Sequence, residues 1–361
     1  PKKLLFVALH RHGRSPSQRF RFEQFMPFLE KQGWQCDYAE LLNEQDDQVF
    51  YSQGTYAKKA TVVLKGFKRR LKEIKAADEY DIVFIQRETF IAGTTYFEKK
   101  YAASKAKIVY DFDDAIWMLD ISDANKKLSF LKDPSKTKKI IALSDLVLAG
   151  NSYLADYALQ FNPKVDIIPT VVDTDYFRTK HPVSTNIVTI GWSGSQTTLK
   201  HLQLAQPWLQ KVKNKFGDRV RVIAICEREI EMSGVGVEMV QWNREGEVED
   251  LDKFDIGIMP LPDDEWSKGK CGFKGIQYMS MSKACVMSPV GVNPEIVDHG
   301  KNAFLAANDQ EWFDIVSELV ENAELRKQIG AAGRATIEKR YSVNAVKNQL
   351  LSALNGLLDK P

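Results

Sequence analysis

Residues 268–297 read KGKCGFKGIQYMSMSKACVMSPVGVNPEIV, and this stretch joins a basic, glycine-bearing loop to a run with helical spacing, a short apolar strand and a second turn. Gly269, Gly272 and Gly275 allow a backbone to approach a ligand closely. The run 273–281 has helical spacing, so the amides of its first turn point outward from its start, where the helix also carries partial positive charge. Such an end favours an anion, and Lys270 and Lys274 add two cations beside it. After the helix, 284–287 is apolar and ends at Ser288 and Pro289, and a turn from Gly291 to Pro294 leads to Glu295. Loop, helix, strand and loop in that order make one step of a nucleotide-binding parallel sheet.

Outward from this step the same alternation continues. Apolar runs bounded by turn residues occur at 4–9, 82–85, 108–110, 146–149 and 165–168, with helical patterns between most of them. A second series follows at 187–190, 220–225, 238–241, 255–259, 284–287 and 303–305. Strands alternating with helices predict α/β architecture with parallel sheets. Between the series, 173–185 (DTDYFRTKHPVST) breaks the composition and predicts a linker. The expected domains are 1–178 and 184–342, with a last helix at about 343–361 that Ser342 is placed to cap. No repeat of 20 to 50 residues is visible, which excludes a solenoid.

A chain of 361 residues, 44% hydrophobic and 27% charged, is long enough for two domains of roughly 150 to 180 residues. A formal charge of +2 gives no global basic field, so nucleic acid is not expected as a partner. Cys36, Cys226, Cys271 and Cys285 form no CxxC pair, so cysteine implies neither a metal site nor a disulfide framework. The chain enters a strand at 4–9 with no charged-apolar-small leader, and no run reaches the roughly 18 apolar residues of a membrane span. The expectation is a cytoplasmic protein, at most peripheral at the inner face of a membrane.

Five motifs together carry a resemblance: VDTDYF at 172–177, GWSGS at 191–195, DIGIMPLP at 255–262, FKGIQYM at 273–279 and SPVGVNPEIV at 288–297. They resemble family 4 (group 1) retaining glycosyltransferases of the GT-B fold, over nearly the whole chain. The resemblance implies two Rossmann-like domains whose parallel sheets face a central cleft, an acceptor-binding first half, a second half that binds a nucleotide-sugar, and a final helix that returns to the first domain. The nucleotide-sugar is then a substrate, and no cofactor or metal is implied. The implied reaction moves a sugar to a glycan or lipid-linked glycan. Rival readings are a nucleotide-sugar 2-epimerase of the same fold and an inactive nucleotide-sugar-binding module.

The chain also departs from the family pattern. Where many members carry two glutamates, one for the sugar hydroxyls and one for the ribose, it has Gly269 and Gln277. Gln277 still hydrogen-bonds a ribose, without charge. Trp192 and Thr197 stand where many members place the Arg and Lys of the diphosphate site, which leaves Lys270 and Lys274 as replacement cations. F-K-x-x-Q-Y-M resembles a family variant N-K-x-x-E-Y-M and favours Lys274 as the catalytic contact to the diphosphate; the alternative is a solvated lysine. The amides of Gly272 and Phe273 join it. Asn293 is placed to reach the sugar and Glu295 matches an acidic position near the donor, or either caps a short helix. Trp242, Cys226 and Glu227 stand where the base binds, with a core role open for Trp242.

Open α/β sheets bind ligands beyond the carboxyl ends of their strands, which brings in the residues after each strand. Ser193, Gly194 and Ser195 offer amides and hydroxyls to phosphate or sugar, or form a structural loop. Arg11 to Arg19 occupy the equivalent place in the first half, where Gly13 leaves room for the donor phosphate. Arg14, Arg19 and Arg21 either bind an anionic acceptor or lie on a solvated helix face, the latter expected for Arg21. Asp113 and Asp114 are candidate catalytic carboxylates toward an acceptor hydroxyl, or cap a helix beginning near Ala115; a DxD-type metal site is disfavoured. His10, His12, His181, His201 and His299 lack metal-ligand spacing. Finally, KKATVVLKGFKRRLKEIK at 58–75 is strongly basic. It either meets an anionic membrane surface or is a solvated helix with its apolar stripe in the core.

Overall fold

The computed structural model describes residues 1–52, 54, 56–118, 133–180 and 186–359; His181 and Pro182 of the expected linker lie outside them. Two compact units result, one of Pro1–Thr170 with Val346–Pro361, the other of Val171–Ala345.

The first unit is a parallel sheet of β1 (Lys2–His10), β2 (Trp34–Leu42), β3 (Ile82–Gln86), β4 (Lys107–Phe112), β5 (Leu146–Ala149) and β6 (Val165–Ile167). Its order is β2-β1-β3-β4-β5-β6. β3 is buried at every position, as an inner parallel strand with both faces covered must be. Leu4 to Val7 of β1 lie opposite Ile82 to Ile85 of β3. The strand order reverses between β1 and β3, so their carboxyl ends, at His10 and Gln86, flank the crevice where such sheets take ligands. β2 is absent from the expected strands. It is an edge strand whose WQCDYAELL mixes exposed and buried positions, so its apolar signal is weak.

The second unit contains β7 (Val188–Ser193), β8 (Val220–Cys226), β9 (Val237–Gln241), β10 (Ile256–Met259), β11 (Ala284–Met287) and β12 (Phe304–Leu305). All pairings are parallel, in the order β12-β11-β10-β7-β8-β9. That is the order of a dinucleotide-binding sheet, with its reversal between β7 and β10. One side of the core is closed by Trp208 and Trp312, from helices Gln206–Phe216 and Asp309–Glu321, whose rings stack at 4.8 Å.

The boundary falls earlier than the composition break predicts: 171–178, expected with the first domain, belong to the second unit. Polar contacts explain why. The Val172 amide donates to the Tyr341 carbonyl at 3.0 Å, and Arg334 donates to the carbonyls of Thr174 and Phe177 at 2.7 and 2.6 Å. Thr179 donates to Asp252 at 2.5 Å, and Asp252 pairs with Lys283 at 2.9 Å. A charged, threonine-rich segment thus reads as linker while being bonded into a domain. The last helix, Val343–Leu358, receives the expected cap, with the Ser342 hydroxyl oxygen accepting from the Ala345 amide at 3.1 Å. From Val346 onward it counts with the first unit, where Lys2 donates to Asn355 at 2.8 Å.

Candidate functional site

At the carboxyl end of the second sheet, the loop after β10 leads through the short helix Glu265–Lys268 into helix Phe273–Ser280. Gly272 precedes that helix in the left-handed conformation, at φ 67°, and a Cβ there would lie 2.4 Å from Ile296 Cδ1. Only glycine fits both demands. Gly291, at φ 58°, is equally constrained, because its Cβ would lie 2.6 Å from the Lys268 carbonyl oxygen. The two turns of the opening stretch are therefore packed against each other, with Asn293 between them. Asn293 is fully buried and donates to the Ser288 carbonyl at 2.9 Å, while its Oδ1 has no hydrogen-bond partner. That oxygen lies 3.2 Å from where a Gly272 Cβ would be, which sets an acceptor beside the positive end of the helix.

Two cations stand at the same end on aromatic faces. Lys274 Nζ lies 5.6 Å from the ring centroid of Trp192, and Lys270 Nζ lies 4.6 Å from that of Trp266. Trp192, expected only as the replacement of a cation, thus holds one in place. His201 registers their field. Its pKa falls from 6.5 to about 4, first because the ring is buried and then because Lys274, Lys270 and Lys200 repel a further proton. The imidazole is neutral near pH 7, and its buried Nε2 has no hydrogen-bond partner.

The loop after β7 works differently from expectation. The Ser193 amide donates to the Tyr278 hydroxyl at 2.8 Å, the Gly194 amide to the Ile225 carbonyl at 3.0 Å, and the Ser195 amide to Thr198 Oγ1 at 3.1 Å. All three amides serve the fold, in a turn closed by the Ser195 and Thr198 capping box. What this loop presents is hydroxyls, not amides. Gln277 is buried and donates to Glu247 at 3.2 Å. Glu247 opens helix Glu247–Asp252, between β9 and β10, and was not singled out in the sequence. Glu247 shares the first turn with Glu249 and Asp250, and acids there give no signal beyond helix polarity. Trp242, following β9, is half-buried, and its amide donates to the carbonyl of Cys226 at 3.3 Å. Helix Asn293–Ile296 has no side-chain cap, so neither Asn293 nor Glu295 takes the capping role left open for it.

In the first unit, ionic pairs crowd the carboxyl ends of β1, β3 and β4. Arg11 and Arg14 both donate to Asp47, at 3.2 and 2.9 Å, and His10 Nδ1 lies 3.3 Å from its other oxygen. At Gly13, expected to leave room for the donor phosphate, the amide donates to buried Glu23 at 2.7 Å. Arg21 is not on a solvated face: it is 2% exposed and bonds both oxygens of Asp111, with a further 2.5 Å bond to the Ile168 carbonyl. Arg19 is buried too, its guanidinium 4.8 Å from the Phe20 ring centroid. Asp113 and Asp114 both accept from Arg87, at 2.8 and 3.4 Å. Residues 116 and 117 form a turn, and the rest of the helix expected from near Ala115 falls at 119–132, outside the described residues.

Arg87, inside the stretch 86–88 where a site residue is expected because it follows a strand, sits at φ 61°. A non-glycine residue held in this region carries strain of about 1 to 3 kcal/mol. Its amide donates to the Asp111 carbonyl at 2.8 Å and its carbonyl accepts from Tyr110 at 2.8 Å, which fixes the conformation. Among the described residues, no cluster of three or more His, Cys, Asp or Glu is arranged to hold a metal ion.

Two parallel-sheet units of this order, each with polar side chains gathered at its reversal point, define the GT-B fold. The sequence of the second unit agrees: residues 186–322 match the family profile described as glycosyl transferases group 1, so this unit carries a domain of that family. No curated protein matches the chain in sequence. Among solved structures, it is similar to HepE of Anabaena, solved with UDP and glucose, at 15% identity and TM-score 0.69, covering 99% of this chain and all of that one. It is similar also to a glycosyltransferase of Rickettsia africae, at 16% identity and TM-score 0.69, covering 100% of this chain and 99% of that one. A third is sucrose-phosphate synthase of Thermosynechococcus elongatus, at 11% identity and TM-score 0.69, covering 99% of each chain.

Proposed function

We propose that this protein is a retaining glycosyltransferase that moves a sugar from a nucleoside diphosphate sugar to a glycan or lipid-linked glycan, in the building of surface polysaccharide or glycoconjugate. The observation that carries the reading is the start of helix Phe273–Ser280, where left-handed Gly272, Lys270, Lys274 and the buried Asn293 oxygen converge. The diphosphate lies against that helix end, with Lys274 as its principal cation and Lys270 as its second, aided by the amides of Gly272 and Phe273. Asn293 Oδ1 accepts from a sugar hydroxyl, with Glu295 nearby on the same turn. Gln277, steadied by Glu247, meets the ribose, and the hydroxyls of Ser193 and Ser195 complete the donor contacts.

In the reaction, the bond from the anomeric carbon to the β-phosphate oxygen breaks, and the acceptor oxygen bonds to that carbon on the same face. The acceptor's proton passes to the departing phosphate. Charge grows on the diphosphate as the bond breaks, and fixed cations with a helix end stabilise that charge without a metal ion. In the first unit, Asp113 and Asp114, held by Arg87, bind the acceptor. Support for donor chemistry comes from the group 1 domain and from the UDP and glucose found with HepE.

Thermal-shift screening against UDP-, GDP-, ADP- and dTDP-sugars, followed by product analysis with a panel of glycan and lipid-linked acceptors, tests this reading. One donor raises Tm by mass action, and the product keeps the donor's anomeric configuration. A donor that binds with no transfer to any acceptor favours an inactive binding module, for which Gly269 and Gln277 in place of glutamates are the supporting residues. A changed sugar stereocentre without acceptor favours an epimerase.

A further inference from the structure

The basic stretch 58–75 has no part in the donor or acceptor chemistry. It forms helix Tyr56–Lys75, which buries Val62, Gly66 and Arg70 against the first unit. Leu64 stays 63% exposed on the outer face, and Phe67, 37% exposed, lies at its edge with its ring 5.0 Å from buried Phe97. Phe67 stacks at 6.2 Å on Tyr96, itself 42% exposed, which opens helix Tyr96–Ala102. Lys68, Lys72 and Lys75 follow Leu64 at helical spacing along the same face, all exposed, and Lys99 and Lys100 stand beside Tyr96. The two helices hold only two acids, and neither offsets these lysines: Glu73 accepts from Arg70 at 2.6 Å, and Glu98 is 1% exposed.

We propose that this face of the first unit docks the protein on an anionic lipid bilayer, with Leu64, Tyr96 and the exposed edge of Phe67 meeting the headgroup region and the surrounding lysines meeting lipid phosphates. A soluble polyanion would engage the lysines but gain little from exposed Leu64. A bilayer interface uses both, since it takes apolar side chains into its acyl boundary and attracts basic ones to its surface. The attachment proposed is peripheral, and among the described residues no helix is long and apolar enough to cross a membrane. This docking is independent of sugar transfer, and its failure leaves the transferase reading standing.

The test is flotation of the full chain with vesicles of phosphatidylcholine alone and of equimolar phosphatidylcholine and phosphatidylglycerol. The protein is expected to float with the second only, and to be released as salt screens the lysines. Lys68→Glu, Lys72→Glu and Lys75→Glu together weaken partition by roughly a hundredfold or more, at about 1 kcal/mol for each lysine lost. Leu64→Ser weakens it roughly tenfold with Tm unchanged. Equal flotation with neutral vesicles, full flotation of the triple variant, or tight binding to heparin with no flotation would each overturn the proposal. Should the triple variant fail to fold, the salt series on the natural chain and Leu64→Ser decide.

Discussion

The two sheets end in different sets of contacts to their cations. Beyond β1, β3 and β4 the first unit sets nearly every cation against a carboxylate: Arg11 and Arg14 on Asp47, Arg21 on Asp111, Arg87 on Asp113 and Asp114. Beyond β7 and β10 the second unit sets Lys270 and Lys274 over tryptophan rings and next to a helix start. An aromatic face orients a cation and adds its own attraction to it, whereas a carboxylate neutralises it. The first arrangement suits a hydroxyl-rich ligand that needs donors and acceptors of both kinds. The second suits a diphosphate.

Variants can break this contrast. The largest effect is expected for Arg21→Ala, which strands Asp111 in a buried site where desolvation already raises its pKa against the pull of Arg21. Loss of one member of a buried pair costs about 3–5 kcal/mol, so denaturant unfolding should show the first unit strongly destabilised. Next is Gly272→Ala, which forces a side chain into the left-handed region at about 1–2 kcal/mol and pushes on Ile296. Donor binding should weaken with it, while Gly300→Ala, at φ 76° with nothing near its Cβ, is expected to carry the conformational cost alone and leave donor affinity unchanged.

A pH series sharpens the contrast without mutation. His201 has a folded pKa depressed to about 4 from 6.5, so the unfolded chain takes up its proton first as pH falls. The stabilisation is complete above pH 6.5 and declines between 6.5 and 4. Thermal melts should show that decline for the natural chain and a flatter profile for His201→Asn. The smallest effect is expected for Arg87→Ala. It takes one partner from each of two half-buried aspartates and alters the acceptor KM, yet relief of backbone strain is absent because alanine dislikes φ 61° as arginine does. Arg87→Gly should therefore be the more stable of the two by about 1 kcal/mol.

Much of this was legible in the sequence because buried parallel strands leave short apolar runs between turn residues, and eleven of the twelve strands announce themselves that way. Edge strand β2 does not, since half-exposed positions dilute its pattern with Gln35, Asp37 and Glu40. The glycine loop, both lysines and Asn293 were visible through residue type alone. Glu247 was not: one of three acids in the first turn of its helix looks like any solvated side chain, and only the fold brings Gln277 to it. The amides of Ser193, Gly194 and Ser195 illustrate the reverse error. A glycine turn after a strand suggests free donors, while partners such as Tyr278, 85 positions away, consume them in three dimensions.

The most direct test titrates the nucleoside diphosphate of the preferred donor into the natural chain, Lys274→Ala and Arg87→Ala, by calorimetry at one salt concentration. Loss of a charged hydrogen bond of about 1.5–3 kcal/mol corresponds to roughly a tenfold to hundredfold weaker Kd, and that loss is predicted for Lys274→Ala alone, with Arg87→Ala binding as tightly as the natural chain. An unchanged Kd for Lys274→Ala, or an equal loss in both variants, would contradict the assignment of the diphosphate to the aromatic-backed lysines of the second unit.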